Sequence, residues 1–192
     1  MKVIIEKEQL VLDDYFKVGE AILQHERFDG SMSPAMRRLN FERGDSVAIF
    51  LWNTDKQKVV LTKQFRYPAY TKGEGWIVEV IAGSLKPHED PVDAMRREIL
   101  EETGYQAGEL KHLHTFFVSP GGTSERIHLF YAAVQDADKV EEGGGLAAEN
   151  EDIQLVEWSA SELQHALDAG KIHDAKTLVA ALWFLQQDST SW

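Results

Sequence analysis

The stretch from Gly83 to Tyr105, GSLKPHEDPVDAMRREILEETGY, decides how the rest of this chain is interpreted. Asp90 is a favourable N-cap residue, and Pro91 suits the first position of a helix. Gly104 is a favourable residue for ending one. The stretch therefore predicts a loop, a helix of about three turns and a second loop.

A helix over this stretch places carboxylates beside an apolar stripe. Val92, Met95 and Ile99 share one face at about 100° per residue. Glu98 and Glu102 are one turn apart at the border of that stripe, where loss of water is costly. Two interpretations remain open from composition: a solvated acidic helix balanced by arginines, or carboxylates that share a cation such as Mg²⁺, which prefers hard oxygen ligands.

The complete spacing is more specific than the composition. The fixed positions are Gly83, Glu89, Arg97-Glu98-Ile99, Glu101-Glu102 and Gly104. This pattern resembles the Nudix box, the signature of the Nudix hydrolases. At Tyr105 an aliphatic residue is more usual, and we expect this difference to affect packing rather than chemistry. The resemblance implies a loop–helix–loop that binds Mg²⁺ or Mn²⁺ and hydrolyses a nucleoside diphosphate linked to another group.

The resemblance also implies roles for individual residues at the metal. The implied ligands are the backbone carbonyl of Ala82 and the side chains of Glu98, Glu101, Glu102 and Glu151. Residues 145–153, GLAAENEDI, resemble the loop that carries the catalytic base in the bacterial ADP-ribose pyrophosphatases of the family. Residue matching makes Glu149 the base and Glu151 the accessory ligand. The two roles are interchangeable, because either carboxylate can accept a proton from the attacking water.

Five further residues are implied as substrate contacts: Arg66, Ser84, Glu125, Tyr15 and Arg38. Arg66 ends a predicted strand and could clamp a phosphate through its planar set of donors. Glu125 ends the phrase SPGGTSE, residues 119–125, which the subfamily has before its terminal sugar site. Tyr15 and Arg38 match positions that bind the nucleobase of the substrate, often across a dimer. For Arg38 alone, a solvated surface charge is an equal alternative.

The composition is that of an ordinary globular protein, with 192 residues, 43% hydrophobic and 27% charged. The net charge of −12 argues against nucleic acid as a partner. Without cysteine, the chain has no disulfides, zinc–thiolate sites or thiol catalysis. The longest apolar run, Leu178–Leu185, is too short to span a bilayer, and the first residues lack the apolar core of a signal peptide. We therefore expect a cytoplasmic protein with no membrane partner.

The order of apolar runs predicts an α/β protein. We expect residues 44–192 to form an α/β/α sandwich with a mixed sheet, the Nudix fold. Within it, Ser46–Trp52 is predicted as a strand buried on both faces, and Trp76–Ala82 as one strand that leads into the box. Residues 1–43 predict a small N-terminal antiparallel β-sheet. Such a sheet has little core of its own, so we expect it to lie on a second copy in a homodimer; packing only on its own domain is the alternative.

The resemblance leaves the substrate open. ADP-ribose, cleaved to AMP and ribose 5-phosphate, is the first expectation. GDP-mannose or a broad range of nucleotide sugars is the alternative, because residues 127–130, IHLF, resemble the GDP-mannose branch. A distant alternative is a binding or regulatory module that has lost catalysis, and the intact set of carboxylates argues against it.

Overall fold

The structure is a computed structural model that describes residues 1–146 and 151–187. Its strands are β1 (Val3–Asp13), β2 (Lys17–His25), β3 (Met36–Glu42), β4 (Ser46–Asn53), β5 (Lys58–Phe65), β6 (Trp76–Glu79), β7 (Ile81–Ser84), β8 (Lys111–Phe117), β9 (Arg126–Val134) and β10 (Gln154–Ser159). Its helices are α1 (Tyr67–Tyr70), α2 (Pro91–Thr103), α3 (Ala160–Asp168) and α4 (Ala175–Leu185), and one 3₁₀ turn spans Asp136–Asp138.

The chain forms two compact units. The first contains Met1–Asp45 together with Phe117–Arg126, and the second contains 46–116 and the described residues from 127 onward. No helix within residues 1–146 and 151–187 is both long and apolar enough to cross a bilayer.

Strand β4 is the centre of the second unit. The sheet has the order β10-β5-β4-β9-β8, with β6 paired to β5 and β7 paired to β4. β4 runs parallel to β9 and antiparallel to β5 and β7, so the sheet is mixed. Every residue of β4 is buried, as its continuous apolar sequence predicts.

Alternate side chains of β4 face two separate layers of helix. Val47, Ile49 and Leu51 belong to a core with Met95 and Ile99 of α2. The other face forms a second core, whose members include Ala48, Phe50 and Trp52 of β4, Leu163 of α3, and Ala180 and Phe184 of α4. The expected α/β/α sandwich with a mixed sheet is therefore confirmed.

The prediction of one strand over Trp76–Ala82 is wrong. The segment is two strands, β6 paired with β5 and β7 paired with β4, separated at Val80. The Val80 N–H donates to Thr177 Oγ1 of α4 at 2.8 Å. An apolar run does not reveal this change of partner, because the helix hydroxyl that receives the N–H lies far away in sequence. The break puts Gly83 inside β7, next to β4.

Helix α2 begins and ends as the sequence predicts. Asp90 Oδ1 accepts the Val92 N–H at 2.8 Å, and Gly104 has the left-handed φ of 76° that closes the helix. Tyr105 is 2% exposed, and its hydroxyl accepts from Asn53 Nδ2 at 3.1 Å. The unusual tyrosine of the box therefore packs in the core with its polar end satisfied.

The first unit contains the predicted three-stranded antiparallel sheet, in the order β1-β2-β3. Every residue of β1 is exposed. Residues 117–126 also belong to this unit, which the sequence did not indicate: the Phe41 N–H donates to the Gly122 carbonyl at 2.9 Å, and Asn40 Nδ2 donates to Ser124 Oγ at 3.0 Å. The phrase SPGGTSE is thus attached to β3.

Candidate active site

Glu98 lies on the side of α2 that faces β7. Its carboxylate packs directly against Gly83, where an added Cβ would be 1.9 Å from the Glu98 carboxyl carbon. Only glycine allows this approach of backbone and carboxylate. Burial raises the pKa of Glu98, and the charge of Arg97 offsets part of that effect.

Glu102, one turn further along α2, is more deeply buried. It is 2% exposed, and its Oε2 atom has no hydrogen-bond partner among residues 1–146 and 151–187. Burial, followed by the negative charges of Glu98 and Glu79, raises the pKa of Glu102 well above its usual range. A buried acceptor without a partner is costly, and a cation at this position would satisfy it.

Arg97 donates hydrogen bonds to three carboxylates of the box. Its Nη1 donates to Glu98 Oε1 at 2.7 Å and to Glu101 Oε2 at 3.1 Å, and its Nε donates to Glu89 Oε1 at 3.2 Å. Within the described residues, no three acidic or histidine side chains form a ready-made metal cage. Arg97 neutralises Glu98 and Glu101 here, whereas it makes no hydrogen bond to Glu102.

The residues present fit a divalent ion in their chemistry. The Glu102 carboxylate has an oxygen without a partner, Glu98 lies beside it, and both are hard oxygen donors. Ala82, whose carbonyl is a predicted ligand, lies in β7 opposite Ala48 and directly before the glycine that Glu98 covers. Desolvated negative charge with too little positive charge nearby is the electrostatic setting in which a cation binds.

A second group of charges is centred on Glu79, at the end of the strand that precedes β7. The sequence analysis missed it. Glu79, at the end of β6, is 3% exposed and accepts from Arg66 Nε at 2.7 Å and from Lys176 Nζ at 3.2 Å. Lys176 also donates to Asp174, the N-cap of α4, at 2.7 Å. One signal could have found it: a single glutamate in the apolar run WIVEVIA requires a buried partner.

Arg66 lies near enough to the buried Glu102 carboxylate to act on it electrostatically. Its positive charge lowers the pKa of Glu102, in opposition to the stronger effect of burial. The Nε atom is bonded to Glu79, which fixes the direction of the guanidinium plane. The sequence identified Arg66 as a phosphate contact but did not identify the carboxylate that orients it.

The acidic loop approaches the box at Glu151. The Glu151 Oε2 atom accepts the Leu146 N–H at 2.9 Å, and its charge contributes to the raised pKa values of both Glu98 and Glu102. The Gly144 N–H donates to the Glu102 carbonyl at 2.8 Å, and this bond joins the loop to the end of α2. Glu149, the predicted base, lies outside the described residues.

The other predicted substrate contacts are spread over both units. In the first unit, Glu125 is 7% exposed and lies 3.6 Å from Arg43 Nε, while Tyr15 and Arg38 are exposed at the β1–β2 turn and on β3. In the second unit, Ser84 is exposed at the end of β7. Their roles toward a substrate stay predictions.

Comparison with known proteins identifies the family. The NUDIX domain family matches residues 42–180. The chain belongs to the Nudix family. It is a hydrolase, and Nudix hydrolases generally use a divalent metal.

Two relatives and one solved structure show how far the similarity extends. The GDP-mannose pyrophosphatase of Escherichia coli O1:K1 / APEC is 34% identical over 180 residues, covering 93% of this chain and 92% of the relative. That of Escherichia coli strain K12 / DH10B is 35% identical over 175 residues, covering 90% of each. The crystal structure of an ADP compounds hydrolase matches with a TM-score of 0.72 and 21% identity over 96% of this chain and 92% of the other, which supports the Nudix fold.

We expect Glu102→Gln to stabilise the metal-free protein increasingly as the pH rises. Burial raises the pKa of Glu102, so the folded state binds a proton there more tightly than the unfolded chain. Stability from that proton is present at low pH and is lost as the pH rises through the folded pKa, whereas glutamine does not titrate. Urea unfolding in EDTA between pH 5 and 8 measures the difference.

The control is Glu109→Gln, because Glu109 is exposed on the surface after the box. Its free energy of unfolding should stay within about 0.5 kcal/mol of that of the parent, as is usual for a substitution on the surface. A difference between Glu102→Gln and the parent that is constant over this range would contradict the expectation.

Proposed function

We propose that this chain hydrolyses the pyrophosphate bond of a nucleoside diphosphate sugar in a reaction that requires Mg²⁺, for which Mn²⁺ can substitute. We favour GDP-mannose, because the relatives named for that substrate match nine-tenths or more of this chain. ADP-ribose is the second candidate, and the resemblance of residues 145–153 to the loop of the ADP-ribose pyrophosphatases supports it.

The observation that carries this proposal is the buried pair Glu98 and Glu102 within the Nudix box. One oxygen of Glu102 has no hydrogen-bond partner in the part of the chain that the structure describes, and the negative charge of Glu151 acts on the same carboxylate. A chain with a net charge of −12 would repel a pyrophosphate unless the site reversed the sign locally. A divalent ion together with Arg66 provides that reversal.

Each group of residues has a distinct part in the proposed mechanism. The ion would be held by the Ala82 carbonyl, Glu98, Glu101, Glu102 and Glu151. When bound, it neutralises charge on the pyrophosphate and acidifies the attacking water. Arg66, oriented by Glu79, binds a phosphate through its terminal Nη donors. Glu149 accepts the proton of the attacking water, and Glu151 is the alternative for that role.

The remaining proposed contacts concern substrate choice. Ser84, beside the box, and Glu125, before the sugar site, would contact the substrate. Tyr15 and Arg38 would bind its nucleobase. The hydrolysis of a nucleotide sugar requires neither a nucleic acid nor a membrane partner, and we propose neither. We also propose a cytoplasmic location.

The substrate assay tests the proposal directly. The purified chain is expected to release GMP and mannose 1-phosphate from GDP-mannose in the presence of Mg²⁺, at a higher kcat/KM than it releases AMP and ribose 5-phosphate from ADP-ribose. Phosphorus NMR identifies the products, and EDTA should abolish turnover of both substrates. Absence of turnover of any nucleotide sugar with Mg²⁺ or Mn²⁺ would sink the proposal, and tight binding without turnover would support the binding module instead.

A matched pair of loop variants assigns the base. Glu149→Gln is expected to lower kcat by at least about 100-fold with little change in Mn²⁺ affinity, because a general base contributes roughly 10²–10⁴ in rate. Glu151→Gln is expected to weaken Mn²⁺ binding as well. Steady-state kinetics with a Mn²⁺ titration by electron paramagnetic resonance separates the two effects. A near-normal rate for Glu149→Gln would transfer the role of base to Glu151.

We also propose that the N-terminal sheet forms a homodimer. Val3, Ile5 and Leu10 share one face of β1 and are 58%, 55% and 53% exposed, and an apolar edge strand of this kind needs a cover. The parent should have the mass of two chains by light scattering, and Leu10→Lys should shift it toward one. Gln9→Lys adds the same charge on the opposite face of the strand and should leave the mass unchanged. A monomeric parent would exclude the dimer.

A further inference from the structure

Gly145 joins the end of the box helix to the loop that carries Glu151. Its N–H donates to the carbonyl of Glu101 at 3.1 Å, and its φ of 83° lies in the left-handed region. A Cβ at this position would lie 2.7 Å from Glu151 Oε2 and 2.8 Å from Glu151 Cβ. The Glu151 side chain therefore occupies the space that any other residue at 145 would fill.

The loop folds back on itself at this point. Leu146 donates its N–H to Glu151 Oε2 at 2.9 Å, and the Glu151 N–H donates to the Leu146 carbonyl at 3.3 Å. The Ile153 N–H donates to the Gly144 carbonyl at 3.3 Å. These bonds close the base of the loop and hold the Glu151 carboxylate over Gly145.

The same short segment is bonded to the backbone of the box glutamates. Gly144 and Gly145 donate to the carbonyls of Glu102 and Glu101, so the orphan acceptors at the end of α2 are used to hold the loop. A carboxylate held by these contacts has a defined position relative to Glu98 and Glu102, with no separate side-chain scaffold. A metal ligand must be held within about 0.5 Å of its productive position, and supporting contacts of this kind provide that precision.

We propose that Gly145 is a positioning residue: its lack of a side chain lets the Glu151 carboxylate fold onto the loop backbone beside Glu98 and Glu102. The inference rests on the proposed function, since Glu151 is the proposed accessory ligand. It goes beyond that function in assigning the position of this carboxylate to the backbone of a glycine outside the Nudix box.

Gly144 offers a matched control for Gly145. Its φ of 107° is also left-handed, but a Cβ there would meet only the Ile153 carbonyl, at 3.8 Å. Gly145→Ala and Gly144→Ala both retain the N–H donor, and both place alanine at a positive φ that L side chains rarely adopt. Only the substitution at Gly145 collides with Glu151.

The test compares Mn²⁺ binding and turnover of the two variants in the full chain. Gly145→Ala is expected to weaken Mn²⁺ binding about 10-fold or more and to lower kcat by a similar factor, which is the usual scale for loss of a group that orients a metal ligand. Gly144→Ala should weaken Mn²⁺ binding and turnover by clearly smaller factors than Gly145→Ala, because its methyl group would meet only the Ile153 carbonyl. Equal losses in the two variants would assign the effect to strain in the loop and overturn the proposal.

A double-mutant cycle with Glu151→Gly separates positioning from general damage. If Gly145 acts through Glu151, adding Gly145→Ala to Glu151→Gly should cause no further loss of Mn²⁺ affinity. Independent, multiplying losses would overturn the proposal. If Gly145→Ala alone does not fold, the double variant should recover a cooperative unfolding transition, because both the Cβ and the carboxylate that collide at Glu151 are gone; failure to recover counts against the proposal.

Failure of the proposed function would look different. A parent chain that binds Mn²⁺ but turns over no nucleotide sugar would contradict the function, and the Mn²⁺ affinities of the two alanine variants would still decide the role of Gly145.

Discussion

Burial of the Glu98 and Glu102 carboxylates between α2 and the sheet is the constraint on which the rest of the site depends. Desolvation opposes the charge of both groups, and among the described residues only Glu98 receives a direct ion pair, from Arg97. Helix α2 is stable despite the desolvation of these carboxylates, because its ends are capped and its apolar face is packed on β4. The close approach of Glu98 to the strand then requires glycine at position 83. The stability of the metal-free site is thereby limited by the same charges that make it suitable for a cation.

A network of charges centred on Glu79 connects the start of the last helix to Arg66. Glu79 is held by Arg66 and Lys176, and Lys176 is held in turn by Asp174 at the start of α4. Although burial disfavours its charge, the two carboxylates raise the pKa of Lys176. The strand break at Val80 brings this network and Gly83 to adjacent strands. Helix α4 therefore supports the orientation of Arg66 as well as closing the second core.

The elements that could be predicted from the sequence are those whose cause is local. The bounds of α2 follow from Asp90 and Gly104, which act within one turn of the helix. Strand β4 follows from its own unbroken apolar run. The split of Trp76–Ala82 into β6 and β7 could not be predicted, because it depends on Thr177, whose hydroxyl contacts Val80 across 97 positions of sequence. The pairing of Glu79 with Lys176 spans the same separation.

The sequence by itself determined the Nudix box, the residue types suited to a divalent ion and the α/β class with a mixed sheet, because spacing and capping are properties of neighbouring residues. Only the tertiary structure decided which carboxylates lose water, that Arg97 binds Glu98 and Glu101 but not Glu102, and that Glu151 lies over Gly145. These features depend on desolvation and close contact between segments distant in the chain. Residue type and spacing do not contain that information until the sheet and α2 are packed together.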